Sequence, residues 1–235
     1  MNFRIIFTFL LFSPILNAVE PVRFVVPNFP PYMYQKNGEL TGEGVSRVSK
    51  ILKKAAIPFS FKLTTDYDRA IYEVKSGYSD GFFLASKNDE RDKIAVFTKP
   101  VMQNVWCWFL LRTSNLDPDS AKFKLANVGT ISNTNTHKWL SKNKFASVSG
   151  VLEPDTLLKM LSKGRLDAIF LSEAVFLEAI DKLGHSRSYY KTVVQKVRPF
   201  GMYLSKGYLA QNPEALETIN KAIETLYPAK FKTLK

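Results

Sequence analysis

The chain has 235 residues, of which 46% are hydrophobic and 23% are charged. This balance excludes a largely disordered or collagen-like chain, and the length is enough for one large domain or two small ones. Lysine and arginine total 33 against 21 acidic residues, which gives a net charge of +12. The lysines stand singly or in pairs such as Lys53-Lys54, so we expect solvated surface charge and no nucleic-acid partner.

The first 18 residues have the composition of a signal peptide. Arg4 precedes an apolar stretch over residues 5–15, and Ala18 offers a small residue for cleavage. The stretch is short for a membrane-spanning helix, although an uncleaved anchor is the alternative. We therefore predict a signal peptide over residues 1–18, cleavage near Ala18 and a periplasmic mature protein.

Cysteine and histidine patterns give no support for a metal site or for nucleophilic catalysis. Cys107 is the single cysteine, so neither an intramolecular disulfide nor a zinc-binding cysteine cluster can form. Its apolar neighbours predict a buried small side chain. His137 and His185 lie in unrelated contexts, and there is no Gly-x-Ser-x-Gly motif. These patterns predict no metal and no cofactor, and enzyme chemistry would have to rest on scattered carboxylates. We expect no catalytic residue and a protein that is not an enzyme.

Strand and helix patterns alternate after the leader segment. Apolar residues at helical spacing alternate with short β-branched or aromatic runs. Strand–helix–strand order implies parallel pairing through right-handed crossovers. The first predicted elements are strands at residues 22–26, 59–63 and 81–85, and helices at residues 44–56 and 67–75.

An internal repeat indicates two similarly built units. Residues 77–83 (GYSDGFF) match residues 164–170 (GRLDAIF) in type and spacing, and each follows an amphipathic helix and leads into an apolar strand. A common helix-to-strand turn is the simpler explanation of either copy alone. Further predicted elements are strands at residues 105–112 and 200–204, and a final helix at residues 213–227 that packs back on the first unit.

These patterns predict an α/β fold of two lobes, each a mostly parallel sheet flanked by helices, joined by a two-strand hinge. We assign residues 19–108 and 203–235 to lobe 1 and residues 109–202 to lobe 2. Clefts between lobes are common ligand-binding sites.

Several short motifs, taken in order, carry a resemblance to a known family. They are residues 28–32 (NFPPY), 37–42 (NGELTG), 66–68 (DYD), 86–91 (SKNDER), 97–100 (FTKP), 128–134 (VGTISNT) and 164–168 (GRLDA). Over residues 21–226 the chain resembles the family 3 bacterial extracellular solute-binding proteins, the type that serves polar amino-acid uptake. The resemblance implies a type II periplasmic-binding-protein fold, a small carboxylate-bearing ligand, a monomer and, as partner, an inner-membrane permease of an ABC transporter.

In lobe 1 the resemblance assigns the ligand's α-carboxylate to Arg91 and Ser86. A planar guanidinium can donate two parallel hydrogen bonds to a carboxylate, which lysine cannot do. The alternative for Arg91 is a surface ion pair with Glu90 or Asp92, and the alternative for Ser86 is a helix N-cap.

Aromatic residues of lobe 1 form a second group of candidates. The resemblance implies that Phe29 and Tyr67 flank the ligand, and Tyr32 is a third aromatic candidate in the same region. Aromatic faces offer contact area and attract cationic groups. Core packing is the alternative for all three.

In lobe 2 the turn that contains Asn133 and Thr134 precedes a predicted helix. Thr134 aligns with the family's carboxylate-binding serine or threonine, and Asn133 stands where a glycine is usual. Hydroxyl, amide and free N–H groups at such a turn suit a carboxylate, or simply cap the helix.

Ser172 departs from the resemblance, since amino-acid binders of this family carry an aspartate there that pairs with the ligand's ammonium group. A neutral hydroxyl cannot balance a buried ammonium. Either Glu173 substitutes for the aspartate, or the ligand lacks an α-amino group. A first-turn helix residue favoured by the helix dipole is the alternative for Glu173.

The leading hypothesis is an exported protein that captures a small carboxylate-bearing solute between two lobes for uptake. A periplasmic dehydratase acting on prephenate or arogenate would use the same fold, with Glu173 as the nearest candidate acid. A sensory module that docks to a membrane partner is the third hypothesis.

Overall fold

The computed structural model describes residues 20–228, so the predicted signal peptide lies outside the described residues. The strands are β1 (Val22–Pro27), β2 (Tyr34–Lys36), β3 (Glu39–Thr41), β4 (Phe59–Thr64), β5 (Gly81–Ser86), β6 (Ala95–Phe97), β7 (Met102–Leu111), β8 (Asn127–Ile131), β9 (Ser147–Val151), β10 (Ala168–Ser172) and β11 (Tyr190–Ser205). The helices are α1 (Glu43–Lys54), α2 (Tyr67–Lys75), α3 (Asp89–Ile94), α4 (Asn135–Lys142), α5 (Pro154–Ser162), α6 (Glu173–Lys182), α7 (Lys206–Gln211) and α8 (Ala215–Leu226).

One sheet runs through the molecule in the order β4-β1-β5-β11-β7-β10-β8-β9, and β6 also pairs with β11. We use lobe 1 for the half that contains β4, β1, β5, β6 and the end of β11, and lobe 2 for the half that contains β10, β8, β9, β7 from Trp106 onward and the start of β11. The pairs β1–β4, β1–β5, β8–β10 and β8–β9 are parallel. The predicted α/β class with mostly parallel sheets is therefore confirmed.

Two long strands connect the lobes. β7 and β11 pair antiparallel from Tyr190 opposite Leu111 to Phe200 opposite Met102, and β11 then continues into lobe 1 beside β5. The lobe boundaries predicted at residues 108/109 and 202/203 fall inside these two strands. Only the end of β11 was predicted, because its first half is largely polar and exposed and gains its order from pairing with β7.

The amphipathic helices form as predicted and cover lobe 1. α1 buries Val48, Ile51 and Leu52, which lie on one face at helical spacing. The predicted final helix corresponds to α8, which packs against α1 and so returns the end of the chain to lobe 1.

The two copies of the internal repeat make the same hydrogen bond, between an aspartate in a turn and the backbone of a neighbouring strand. Asp80 accepts a hydrogen bond from the Arg23 backbone N–H at the start of β1, at 2.8 Å. Asp167 accepts one from the Asn127 backbone N–H at the start of β8, also at 2.8 Å. Each aspartate lies in the turn before a strand (β5 or β10) and binds the start of the neighbouring parallel strand (β1 or β8).

No helix within residues 20–228 is long and apolar enough to cross a membrane. In the same described range, no group of three or more His, Cys, Asp or Glu side chains could hold a metal ion.

Gly42, just before α1, has a backbone conformation that only glycine adopts easily, with φ 117°. A Cβ atom there would lie 2.3 Å from the Tyr32 carbonyl oxygen. We expect Gly42→Ala to lower the free energy of unfolding by about 2–4 kcal/mol, through backbone strain and this clash. Urea denaturation followed by circular dichroism measures it. The matched control is Gly38→Ala, where φ is 84° but nothing lies near; equal losses in both variants would contradict the role of the Tyr32 contact.

Cys107 is fully buried in β7, and burial raises the pKa of its thiol to about 12. At pH 8 only about one thiol in 10⁴ would be ionised, and the thiolate is the reactive form. We expect no reaction of the native protein with Ellman's reagent at pH 8, and one equivalent after denaturation. Rapid labelling of the native protein would show that the strand is open to solvent.

Candidate ligand-binding site

A small cavity lies between the lobes where β7 crosses from one to the other. Its volume of about 30 Å³ leaves room for roughly two water molecules. Both lobes and both connecting strands contribute to the wall. The lining residues are Phe29, Tyr67, Ala85, Ser86, Arg91, Asn104, Trp106, Ile131, Thr134, Asn135, Thr136, Leu171, Ser172, Val175 and Phe200.

Arg91 of α3 is the single charged residue of this wall, and only 3% of its surface is exposed. Its Nη1 donates to the Ser86 carbonyl oxygen at 2.8 Å, and its guanidinium lies 4.8 Å from the centre of the Tyr67 ring. Its Nε has no hydrogen-bond partner, and no acidic side chain within residues 20–228 forms an ion pair with it. Burial lowers the pKa of Arg91 from its usual value, which expresses the cost of keeping this charge away from water.

The surface ion pair considered for Arg91 is not formed, because its acidic neighbours pair elsewhere. Glu90 pairs with Lys138 of lobe 2, and Asp92 lies 3.7 Å from Lys87. The cavity therefore holds a buried cation that forms no ion pair with a described residue, and the charges of Asp68 and Glu90 act on it only without direct contact.

Ser86, at the end of β5, also points an unused group at this site. Its Oγ is buried and has no hydrogen-bond partner among the described residues. The N-cap of α3 is Asn88, whose side chain accepts from the Arg91 backbone N–H at 3.0 Å, so Ser86 is not the cap.

The three aromatic candidates pack together, but they do not share one position. Phe29 lies 5.7 Å from the Tyr32 ring and 6.0 Å from the Tyr67 ring, centre to centre. Phe29 and Tyr67 line the cavity. The Tyr67 hydroxyl donates to the Leu84 carbonyl oxygen, and this fixes the ring beneath the Arg91 guanidinium. Tyr32 is outside the lining set and reaches across to lobe 2 instead.

The Tyr32 hydroxyl of lobe 1 forms a hydrogen bond with the Ser172 hydroxyl of lobe 2, at 3.1 Å. Ser172 ends β10 and lines the cavity, whereas Glu173 begins α6 and is half-buried outside the lining set. The structure therefore places a neutral hydroxyl, and no carboxylate, on this part of the wall.

The hydroxyl groups of lobe 2 are largely engaged with one another. Thr134 donates to the Ile131 carbonyl oxygen at 2.7 Å and lies 2.7 Å from the Thr136 hydroxyl. Thr136 in turn lies 2.9 Å from the Thr130 hydroxyl, which donates to the Phe170 carbonyl oxygen. The Thr134 hydroxyl therefore already donates its proton within the protein and has none to donate to a ligand carboxylate.

Thr134 is also the N-cap of α4, so the capping alternative is correct for its side chain. Asn133 adopts a left-handed φ of 61° and faces a neighbouring open groove, not the cavity. The first residues of α4, Asn135 and Thr136, line the cavity, and N–H groups of a first helical turn have no intrahelical partner.

Direct contacts hold the two lobes together around the cavity. The Asn88 side-chain amide donates to the Asn135 side-chain oxygen at 2.8 Å, and Asn135 donates to the Ser86 carbonyl oxygen at 3.3 Å. The ion pair between Glu90 and Lys138 lies nearby.

Nine wall residues were not among the predicted site residues, and they include Asn104, Trp106, Asn135 and Phe200. Asn104 and Trp106 are two residues apart in β7 and therefore lie on the same face of the strand. The alternation of side chains along the strand could have predicted that both face the cavity. The Asn104 side-chain oxygen is buried and has no partner among residues 20–228. Asn135 and Phe200 reach the cavity only through the packing of the two lobes.

Comparison with known proteins identifies the family. Residues 23–234 match the family of bacterial extracellular solute-binding proteins, family 3. The protein belongs to this family.

Named relatives of this family 3 protein are distant. A probable histidine-binding protein of Campylobacter jejuni is 23% identical over 189 residues, which cover 80% of this chain. Those residues cover 62% of the relative, so the chain spans less than two thirds of the length of the curated relative it matches.

Solved structures share the fold at low identity. The arginine-, lysine-, histidine-binding protein ArtJ of Geobacillus stearothermophilus has a TM-score of 0.70 at 17% identity, over 88% of this chain and 89% of its own. An ancestral arginine-binding protein bound to arginine has a TM-score of 0.71 at 24% identity, over 89% and 93%. A histidine kinase sensor domain has a TM-score of 0.75 at 18% identity, over 88% and 90%. The predicted periplasmic-binding-protein fold is confirmed.

The hydrogen bond from Tyr67 to the Leu84 carbonyl can be tested without a ligand. Tyr67→Phe leaves a buried carbonyl unpaired, so we expect the free energy of unfolding of this family 3 protein to fall by about 1–2 kcal/mol. Urea denaturation measures the loss. Tyr72→Phe, a half-exposed position on the same helix, should stay within about 0.5 kcal/mol of wild type. An equal effect of both changes would contradict the structural role of the Tyr67 hydroxyl.

Proposed function

We propose that this protein is an exported, periplasmic solute-binding protein that captures a small carboxylate-bearing solute between its two lobes for uptake. The observation that carries the proposal is the buried Arg91 guanidinium, which faces the interlobe cavity without an acidic partner in the described part of the chain. Membership in the family supports solute binding.

A carboxylate would supply the charge that Arg91 lacks. Removing one partner from a buried ion pair is strongly destabilising, by about 3–5 kcal/mol, since it leaves the other charge uncompensated. Hydrogen bonds to charged groups contribute about 1.5–3 kcal/mol each. The unused Nε of Arg91 and Oγ of Ser86 are donors suited to two carboxylate oxygens.

Contacts from both lobes would make binding depend on closure. Arg91 and Ser86 belong to lobe 1, whereas Asn135 and Thr136 at the start of α4 belong to lobe 2. The helix N-terminus attracts the same anion from the opposite side. A ligand that contacts both lobes only in the closed form shifts the population toward that form. The closed form then presents both lobes to a membrane permease, which is the partner we propose.

Binding proteins named for arginine, lysine and histidine among the relatives support an amino acid or a close analogue as the solute. The dehydratase alternative is less well supported, because no Asp or Glu belongs to the described wall of the cavity.

Replacing Arg91 with methionine separates binding from stability. Because the guanidinium is buried and unpaired, we expect Arg91→Met to keep or raise the free energy of unfolding of the ligand-free protein. The same variant should lose at least a hundredfold in affinity for the carboxylates that wild type binds. Isothermal titration calorimetry and urea denaturation of the chain from residue 19 onward measure the two effects. The panel comprises the standard amino acids, their 2-oxo and 2-hydroxy analogues, and dicarboxylates.

Arg187→Met is the matched control, because Arg187 is exposed and pairs with Asp181 on the surface of lobe 2. It should bind as wild type does. Unchanged affinity in Arg91→Met, or no carboxylate bound by wild type, would overturn the proposed function.

A further inference from the structure

We propose that the solute is a small 2-hydroxycarboxylate, with a carboxylate and an uncharged hydroxyl on the next carbon, and without an α-ammonium group. This inference rests on the proposed function and narrows its ligand class. It follows from the charge of the cavity wall and from one unused acceptor on that wall.

The charge of the described wall is that of one cation. Arg91 contributes the positive charge, and the other lining residues are neutral. A hydroxycarboxylate brings this buried site to zero net charge, whereas a zwitterionic amino acid leaves it at one positive charge. An ammonium group in this wall would have only neutral acceptors, and burying a charge without its opposite is costly.

Glu173 of lobe 2 acts on this region from outside the wall, through its charge on Tyr32 and Cys107. Glu173 follows Ser172 directly but lies outside the lining set, at the start of α6. Ser172 itself is held by the Tyr32 hydroxyl at 3.1 Å.

The wall also holds one unused acceptor beside its unused donors. Arg91 Nε and Ser86 Oγ suit the two oxygens of a carboxylate, and the Asn104 side-chain oxygen requires a donor. These three groups belong to residues that line the same cavity. A hydroxyl beside the carboxylate supplies the donor without a charge, whereas a 2-oxo group supplies another acceptor.

Other hydroxyl groups of the wall do not compete for this role. Thr130, Thr134 and Thr136 satisfy one another and nearby carbonyls. Phe29, Phe200 and Leu171 are among the residues that give the wall apolar surface.

A set of acids with one carbon skeleton tests the inference. Lactate, pyruvate, propionate and alanine differ only at the second carbon. A second set has the leucine skeleton: 2-hydroxy-4-methylpentanoate, its 2-oxo analogue, 4-methylpentanoate and leucine. We expect calorimetry at pH 7.5 to rank the hydroxy acid tightest in at least one set, with the 2-oxo and unsubstituted acids about tenfold weaker and the amino acid weakest.

Two variants assign the preference to the wall. Asn104→Leu removes the acceptor at similar volume and should bring the hydroxy acid down to the affinity of the unsubstituted acid. Asn115→Leu, in an exposed loop, is the matched control and should keep the wild-type ranking. Ser172→Asp adds a carboxylate to the wall and should improve the affinity for the amino acid relative to the hydroxy acid by at least tenfold.

The outcomes separate the two proposals. If no acid of either set or of the wider panel binds wild type, the proposed function fails. If carboxylates bind through Arg91 but the amino acid is tightest, or the hydroxy acid is no tighter than the unsubstituted one, the proposed function stands and this inference is overturned. A hydroxy-acid preference that survives Asn104→Leu also overturns the assignment of the hydroxyl to Asn104.

Discussion

A guanidinium group that is buried without an ion pair to any described residue is the constraint around which this molecule is arranged. The fold keeps Arg91 in place with weaker substitutes for a carboxylate: the Ser86 carbonyl oxygen and the faces of the Tyr67 and Phe82 rings. Such partners reduce the cost of burial but do not remove it. Burying Arg91 lowers the free energy of unfolding of lobe 1, and an anion that binds to Arg91 would offset this loss. The proposed ligand binding and the stability of lobe 1 therefore depend on the same charge.

The connection between the lobes determines how that free energy could be used. β7 and β11 are the continuous strands that run through both halves of the sheet, so a bend in them changes the distance between Arg91 and the start of α4. The contacts across the cleft include the buried hydrogen bond between Tyr32 and Ser172, and the Asn88–Asn135 and Glu90–Lys138 pairs, which are exposed or half-exposed. Exposed contacts of this kind contribute little, typically about 0–1 kcal/mol.

Local patterns in the sequence predicted the elements with strong periodicity, such as α1, α2 and β5, and the two-lobed α/β class. The first half of β11 was missed because its order comes from pairing across 80 or so residues, which periodicity does not detect. Residue type and motif predicted Arg91, Ser86, Phe29 and Tyr67 as site residues, and all four line the cavity. Asn104 also lines it but was not predicted. Its role depends on an acceptor left unpaired by its neighbours, and that is a property of packing. Asn133 and Glu173 stood next to wall residues in sequence but face elsewhere, since turns at the ends of β8 and β10 direct adjacent side chains apart.

The distribution of tryptophan has an optical consequence. All three tryptophans, Trp106, Trp108 and Trp139, lie in lobe 2. Trp108 and Trp139 are held in an aromatic cluster, whereas Trp106 also forms part of the cavity wall. Lobe 1 carries the unpaired cation but no indole. The tryptophan emission of the protein therefore comes from one lobe, and Trp106 is the indole on which a movement of the other lobe would act, without an attached dye.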